Sequence, residues 1–146
     1  MEYLRMSQDH VLQIAQLEKM CFSSPWSERS IESELTNPLA LWLVAVDNDR
    51  VAGYVGSQSV MGEADMMNLA VDPEYRRMGV GKKLVEKLID ALSEEAVHSL
   101  TLEVRASNEN AIRLYQSMEF KEVGRRKNYY RNPREDALIL RKEWVI

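Results

Sequence analysis

The chain has 146 residues, 45% hydrophobic and 29% charged, with a formal net charge of −4. That length suits one domain with a substantial core, and the composition excludes a disordered chain. The acidic balance argues against a broad nucleic-acid-binding face, and a lone cysteine, Cys21, excludes an intramolecular disulfide or a multi-cysteine metal site.

No run approaches the roughly 18 apolar residues of a membrane span, and the opening MEYLRMSQDH carries no apolar signal core. The expectation is a cytoplasmic protein with no membrane or nucleic-acid partner and no metal. No repeat, low-complexity tract or linker divides the chain, so residues 1–146 are expected to form one domain. Oligomeric state is not legible; a monomer is the default.

A short strand at Tyr3–Met6 gives way at Ser7, a suitable N-cap. Val11, Ile14, Ala15, Leu17 and Glu18 follow at helical spacing. Pro25 stops that region, and Ser27 caps a second helix holding Ile31 and Leu35 and ending near Asn37-Pro38. LWLVAV (41–46) and VAGYVGSQSV (51–60) flank Asp47-Asn48-Asp49 and read as a hairpin. ADMMNLAV (64–71) adds a third strand, closed by Asp72-Pro73; the paired Met66 and Met67 read as strand packing.

Next come Val80, Leu84, Val85, Leu88, Ile89 and Leu92 at three-to-four spacing, with Lys83, Glu86, Lys87 and Asp90 on the other side. SLTLEVR (99–105) alternates as a strand. Ser107 or Asn108 caps a helix striped by Ala111, Ile112, Leu114, Tyr115 and Met118. FKEVGRRKNYY and DALILRKEW close the chain as an antiparallel pair around Asn132-Pro133. The order β-α-α-β-β-β-α-β-α-β-β describes an α+β domain of three layers, a mixed sheet covered by helices. A right-handed crossover should make strands 64–71 and 99–105 parallel neighbours.

YRRMGVGKKL (75–84) holds two of the chain's six glycines between paired arginines and paired lysines. A loop entering a helix presents unpaired N–H groups and the positive end of the helix dipole, which together attract an anion. A P-loop would need glycine where Arg76 stands and Ser or Thr where Lys83 stands. A dinucleotide fingerprint would need a third glycine at Leu84. Both fail, leaving Arg76-x-x-Gly79-x-Gly81 after a strand ending in NLAVDP.

That loop resembles the pyrophosphate loop of the GNAT superfamily of N-acetyltransferases. NLAVDPEYRRMGVGKKL, LEVRASNENAIRLYQSMEF and NYY…EDALIL, in that order and over nearly the whole chain, together with CFSSPWS near the start, are similar to the narrower ribosomal-protein-alanine N-acetyltransferase family. The resemblance implies a mostly antiparallel sheet with a splayed parallel pair, and acetyl-coenzyme A as acetyl donor. It implies a protein N-terminus as acceptor, foremost the N-terminal alanine of the eighteenth small-subunit ribosomal protein.

The family's coenzyme contacts fall on the backbone of Leu69, Ala70 and Val71, on Arg76, Arg77, Met78, Gly79, Val80, Gly81 and Lys82, and on Asn108. Its proton-accepting glutamate falls on Glu103 and its thiolate-protonating tyrosine on Tyr115. Acceptor contacts fall on Phe22, Trp26, Tyr129, Tyr130, Glu135 and Asp136. Each has a plainer reading from the residues alone. Glu103 shares the less apolar strand face with Thr101 and Arg105, Tyr115 lies on a core stripe, Asn108 suits an N-cap, and the tyrosine pair suits a sheet end. Cys21 reads as a small core hydrophobe, and His10 and His98 receive no role. Two alternatives share the loop: an acetyltransferase of polyamines or other small amines, and a non-catalytic coenzyme-A-binding regulatory domain that would need neither Glu103 nor Tyr115.

Overall fold

A computed structural model describes residues 1–146. Its strands are β1 (Glu2–Arg5), β2 (Ala40–Asp47), β3 (Arg50–Val60), β4 (Glu63–Val71), β5 (Ser99–Arg105), β6 (Lys121–Tyr130) and β7 (Glu135–Glu143). The helices are α1 (Gln8–Cys21), α2 (Glu28–Ser33), α3 (Val80–Glu94) and α4 (Glu109–Ser117). A single 3-10 turn at Pro73–Tyr75 precedes α3. This is the expected order of elements. None of the helices is long and apolar enough to cross a membrane.

The seven strands form one sheet in the order β1-β2-β3-β4-β5-β7-β6, antiparallel except for β4 and β5. One face is covered by α3 and α4. Val80, Leu84, Val85, Leu88 and Leu92 of α3 and Tyr115 of α4 pack there on Leu100, Leu102 and Val104 of β5. The other face carries α1 and α2, whose Val11, Ile14, Ala15, Leu17 and Ile31 pack on β2, β3 and Ala70 of β4. Central β3 is buried from Val51 to Ser57, as a strand covered on both faces must be.

Local chemistry explains the boundaries. The β2–β3 hairpin turns on Asn48-Asp49, with Asn48 at φ 57°, a conformation asparagine tolerates. Helix α2 is shorter than expected, and Leu35 lies beyond it. From Glu34 onward the main-chain bonds run to the third residue back, Glu34 to Ile31 and Leu35 to Glu32, so the spiral tightens and stops being α-helical. The Glu34 carboxylate then faces the sheet, accepting from Trp42 Nε1 at 3.1 Å and Gln58 Nε2 at 2.7 Å. At the start of α1 the Ser7 N–H donates to Nδ1 of His10 at 3.0 Å, so this histidine serves the helix end.

Two irregularities shape the middle of the sheet. In the β3–β4 ladder Gly56 pairs with Asn68 but Ser57 pairs with Met66, which leaves Met67 as an extra residue. Such a bulge switches the alternation of side chains. Met66 packs on the α3 side, Met67 and Ala70 on the α1 side, and Leu69 and Val71 on the α3 side again. Opposite Gly56, the Trp42 ring lies across the space a side chain would need.

Two stability predictions follow. A Cβ at Gly56 would lie 2.4 Å from the Trp42 ring, so Gly56→Ala should destabilise the fold by about 1–3 kcal/mol in denaturant titration. An unchanged midpoint would mean that the ring moves aside at no cost. Burial, against the opposing charge of Asp9, lowers the pKa of His10. The cap's stabilisation is therefore present above the unfolded pKa of about 6.5 and lost as pH falls below it. His10→Gln should show a shallower loss of stability between neutral and mildly acidic pH.

Candidate functional site

Strand β4 pairs with β5 only through Glu63–Ser99, Ala64–Leu100 and Asp65–Thr101. Beyond that the two part. Met66 to Val71 keep β3 on one side, and Leu102 to Arg105 keep β7 on the other. The facing edges between them have no strand partner, so main-chain N–H and C=O groups point into a gap in the sheet. Unpaired backbone of this kind is a ready partner for an amide-bearing ligand.

Two of the singled-out side chains reach this gap from opposite faces. Leu102 and Val104 are buried under α3 and α4, so Glu103 between them points to the other face, its side chain 29% exposed. Arg126 Nε approaches its carboxylate at 3.5 Å. The Tyr129 phenol is held above its ordinary pKa first by Glu103 as hydrogen-bond acceptor and then by burial. Tyr115 arrives from the α4 side, buried against Phe120 with ring centroids 5.5 Å apart. Its hydroxyl donates to Met66 Sδ at 3.8 Å, a weak bond at the mouth of the gap. Burial, helped by Tyr130, pushes its phenol well above the usual range, so it keeps its proton at neutral pH. Between them stands Tyr130, pushed up to about 12 by burial and then by the Glu103 charge.

The glycine loop lies at the open end of β4. Gly79 is the N-cap of α3, with φ 76°, and Arg77 before it has φ 64°. Buried Val80 anchors the helix start, while Arg76, Arg77, Met78 and Lys82 are exposed. No side chain caps the helix, so its first N–H groups remain available. A Cβ on Gly81 would meet only Val71 Cγ2, at 3.6 Å. The fold itself therefore does not demand glycine there; its absence of side chain leaves space between helix and strand end. Arg76 folds back, with Nε 3.4 Å from the Val71 carbonyl and Nη2 3.8 Å from Cys21 Sγ. Asn108 caps α4, its Oδ1 accepting from Ala111 N at 3.2 Å, which leaves its NH2 group for a ligand.

On the face that Glu103 shares, α1 and α2 cover only the β2–β4 half of the sheet, and β5–β7 stand open. The tyrosines border this floor, Tyr129 half exposed and edge-on to Tyr130 at 5.1 Å. Glu135 and Asp136 face protein donors. Glu135 accepts from Ser107 N at 2.6 Å and Arg105 Nη1 at 3.2 Å, and Asp136 from Asn128 N at 2.9 Å. Hydrogen bonds from Ser107, then the Arg105 guanidinium, hold the Glu135 carboxyl below its usual range. Across the gap edge, the Asp65 carboxyl is raised by burial and then by repulsion from Glu103 and Glu63. Arg126 pairs with Glu103 at 3.5 Å and Arg141 with Glu63 at 2.7 Å, so the floor carries both signs of charge. No group of three or more His, Cys, Asp or Glu side chains is placed to hold a metal ion.

Phe22 and Trp26 stand in the α1–α2 loop, half-buried against the second core, with Trp26 edge-on to Trp42 of β2 rather than against the tyrosine pair. Three participants carry no expected role in the sequence. Glu18 is fully buried and receives donors from Trp26, Tyr54 and Asn68. Its signal was a carboxylate on a core-facing helix stripe, a placement that needs a reason. Arg105 stacks over Tyr130 at 4.4 Å and binds the Arg131 and Pro133 carbonyls, for which local sequence holds no signal. Asn68 is turned toward Glu18 by the bulge.

The sequence profile of the acetyltransferase (GNAT) family matches residues 11–120. The chain is 42% identical over 126 residues to the ribosomal protein bS18-alanine N-acetyltransferase of Escherichia coli strain K12, covering 85% of this chain and 84% of that protein. The protein of the same name from Salmonella typhimurium is 43% identical over 128 residues, covering 86% and 85%. A crystal structure of the Escherichia coli ribosomal-protein-alanine N-acetyltransferase superposes with a TM-score of 0.91 at 36% identity, covering 99% of this chain and 94% of that one.

One local prediction concerns the cysteine. Burial raises the Cys21 thiol despite the opposing Arg76 guanidinium, so little thiolate is present at neutral pH. Alkylation of the folded protein by iodoacetamide should run slower than that of free cysteine. Faster labelling would mean that the guanidinium dominates and that Cys21 is an activated thiol.

Proposed function

The chain belongs to the acetyltransferase (GNAT) family, and from that premise we propose that it moves the acetyl group of acetyl-coenzyme A to the α-amine of a protein N-terminus, with the N-terminal alanine of ribosomal protein bS18 as acceptor. A cytoplasmic location is part of the proposal. The observation that carries it is the gap between β4 and β5, entered by Glu103 from one face and Tyr115 from the other.

In this reading the donor's pantetheine runs along the free edge of Leu69, Ala70 and Val71, and its pyrophosphate meets the N–H groups at the start of α3. The donor brings the thioester; the chain supplies the rest. The acceptor amine enters over the open floor, where the Glu103 carboxylate stands partly exposed beside Arg126. Tyr129 and Tyr130 offer aromatic walls, while Glu135 and Asp136 keep the hairpin in shape. An α-amine has a reference pKa of about 7.7–8.0, so a carboxylate base, directly or through a water, suffices to take its proton. The amine nitrogen bonds to the carbonyl carbon, the carbon–sulfur bond breaks, and the departing sulfur takes a proton from Tyr115. A thiolate whose thiol has a pKa of about 8.5 is a weaker base than a buried phenolate, but the burial that raises the Tyr115 pKa raises that of a thiol beside it too. The hydroxyl gives up only a thioether acceptor, Met66, to turn to the coenzyme sulfur.

The test is mass spectrometry of the purified protein's products on peptides beginning with alanine, free or N-terminally blocked, and on spermidine. Modification of the free α-amine is expected; spermidine as the preferred acceptor would instead mark a small-amine acetyltransferase. Glu103→Gln should lower turnover by about 10²–10⁴-fold with coenzyme affinity intact. Tyr115→Phe should slow transfer in a way that a thioester with a better leaving group partly restores, whereas Glu103→Gln should not be rescued equally. Near-normal turnover in both variants would sink this mechanism.

A further inference from the structure

We propose that Glu18 is a positioning residue that fastens the acceptor-bearing loop 22–26 to the donor strand β4; the inference rests on the function proposed above. Glu18 is 0% exposed, and no ion pair involves it. Its carboxylate accepts from Trp26 N at 2.8 Å, from Asn68 Nδ2 at 3.0 and 2.8 Å, and from the Tyr54 hydroxyl. Four segments therefore meet on one side chain: α1, the loop, β3 and β4.

The loop depends on this contact more than the strand does. Among the N–H groups of residues 23–26, that of Trp26 alone finds a protein acceptor, and the acceptor is Glu18. Strand β4 is held separately by its ladder to β3, from Gly53–Val71 to Gly56–Asn68. The Trp26 ring sits edge-on to Trp42 at 5.4 Å, Trp42 stacks on Tyr54 at 6.0 Å, and Tyr54 returns to Glu18. The loop is thus registered twice, by its backbone through the carboxylate and by its ring through the aromatic stack. Burying a carboxylate with only neutral donors is costly, and an apolar side chain of similar size would fill the site more cheaply. What the carboxylate adds is direction: it sets where Trp26 stands relative to Asn68, one residue before the donor edge at Leu69–Val71.

Glu18→Gln tests this, because it keeps the shape but leaves one acceptor oxygen for three donors. The KM for an N-terminal alanine peptide should rise by about tenfold, acetyl-coenzyme A affinity should stay within about twofold, and the Trp26 amide should exchange hydrogen about tenfold faster. Tyr54→Phe, which removes one donor, should move the same readouts in the same direction by less. A fall in kcat with peptide KM unchanged, or an equal loss of coenzyme affinity, would overturn the proposal, since loss of folded protein alone gives the first pattern. If Glu18→Gln does not fold, the Trp26 amide of the unaltered protein decides: exchange as fast as that of an unprotected amide removes the tether. A protein that acetylates no peptide N-terminus would overturn the proposed function, and with it the acceptor half of this inference, while protection of Trp26 would still report the tether itself.

Discussion

Everything at the centre of this molecule depends on a ladder that stops early. Three residue pairs join β4 to β5, and then each strand turns to its other neighbour. An unpaired edge inside a sheet would normally be an expense, because buried N–H and C=O groups need partners. Here the strands stay in place without the missing bonds. Leu100, Leu102 and Val104 are packed under α3 and α4, and β5 is paired along its length with β7. The opening is thus held by side-chain packing on one face and left accessible on the other.

The bulge at Met67 does two jobs with a single extra residue. It lies just past the last β4–β5 pair, and it reverses which side chains face α1. Asn68 thereby meets Glu18 rather than the α3 core. Regular alternation would have sent that amide into apolar surroundings and left the Glu18 carboxylate short of donors. The separation of the strands and the polar node beside it are therefore coupled through one change of register.

Much of this was legible in the residues. The helical stripes of α1, α3 and α4 and the alternation in SLTLEVR are strong periodic signals, and they placed Glu103 on the open face and Tyr115 in the core. The early narrowing of α2 was not legible, because Glu34 leaves the helix to serve Trp42 and Gln58, which come later in the chain. Neither was the bulge, since Met66 and Met67 fit a regular strand equally well. Asn68 and Arg105 act only through partners up to 50 residues away, a relation that no local window contains; Glu18 shows as a carboxylate on a core-facing stripe, but its partners Tyr54 and Asn68 do not. His10 was within reach: it stands three residues after Ser7, where a capping side chain belongs, although an imidazole rarely fills that place.

Arg105 holds the β6–β7 tip by the carbonyls of Arg131 and Pro133, and by stacking on Tyr130. Carbonyl oxygens are common to all twenty amino acids, so the grip is blind to which side chains the tip displays. The side chains of Arg131 and Arg134 can therefore change without releasing the tip from β5, while Asn132, at φ 56°, is held to a conformation few residues adopt. The molecule can vary what it shows beside the open floor while the frame under it stays the same, and diversification at this edge needs no compensating change in the core.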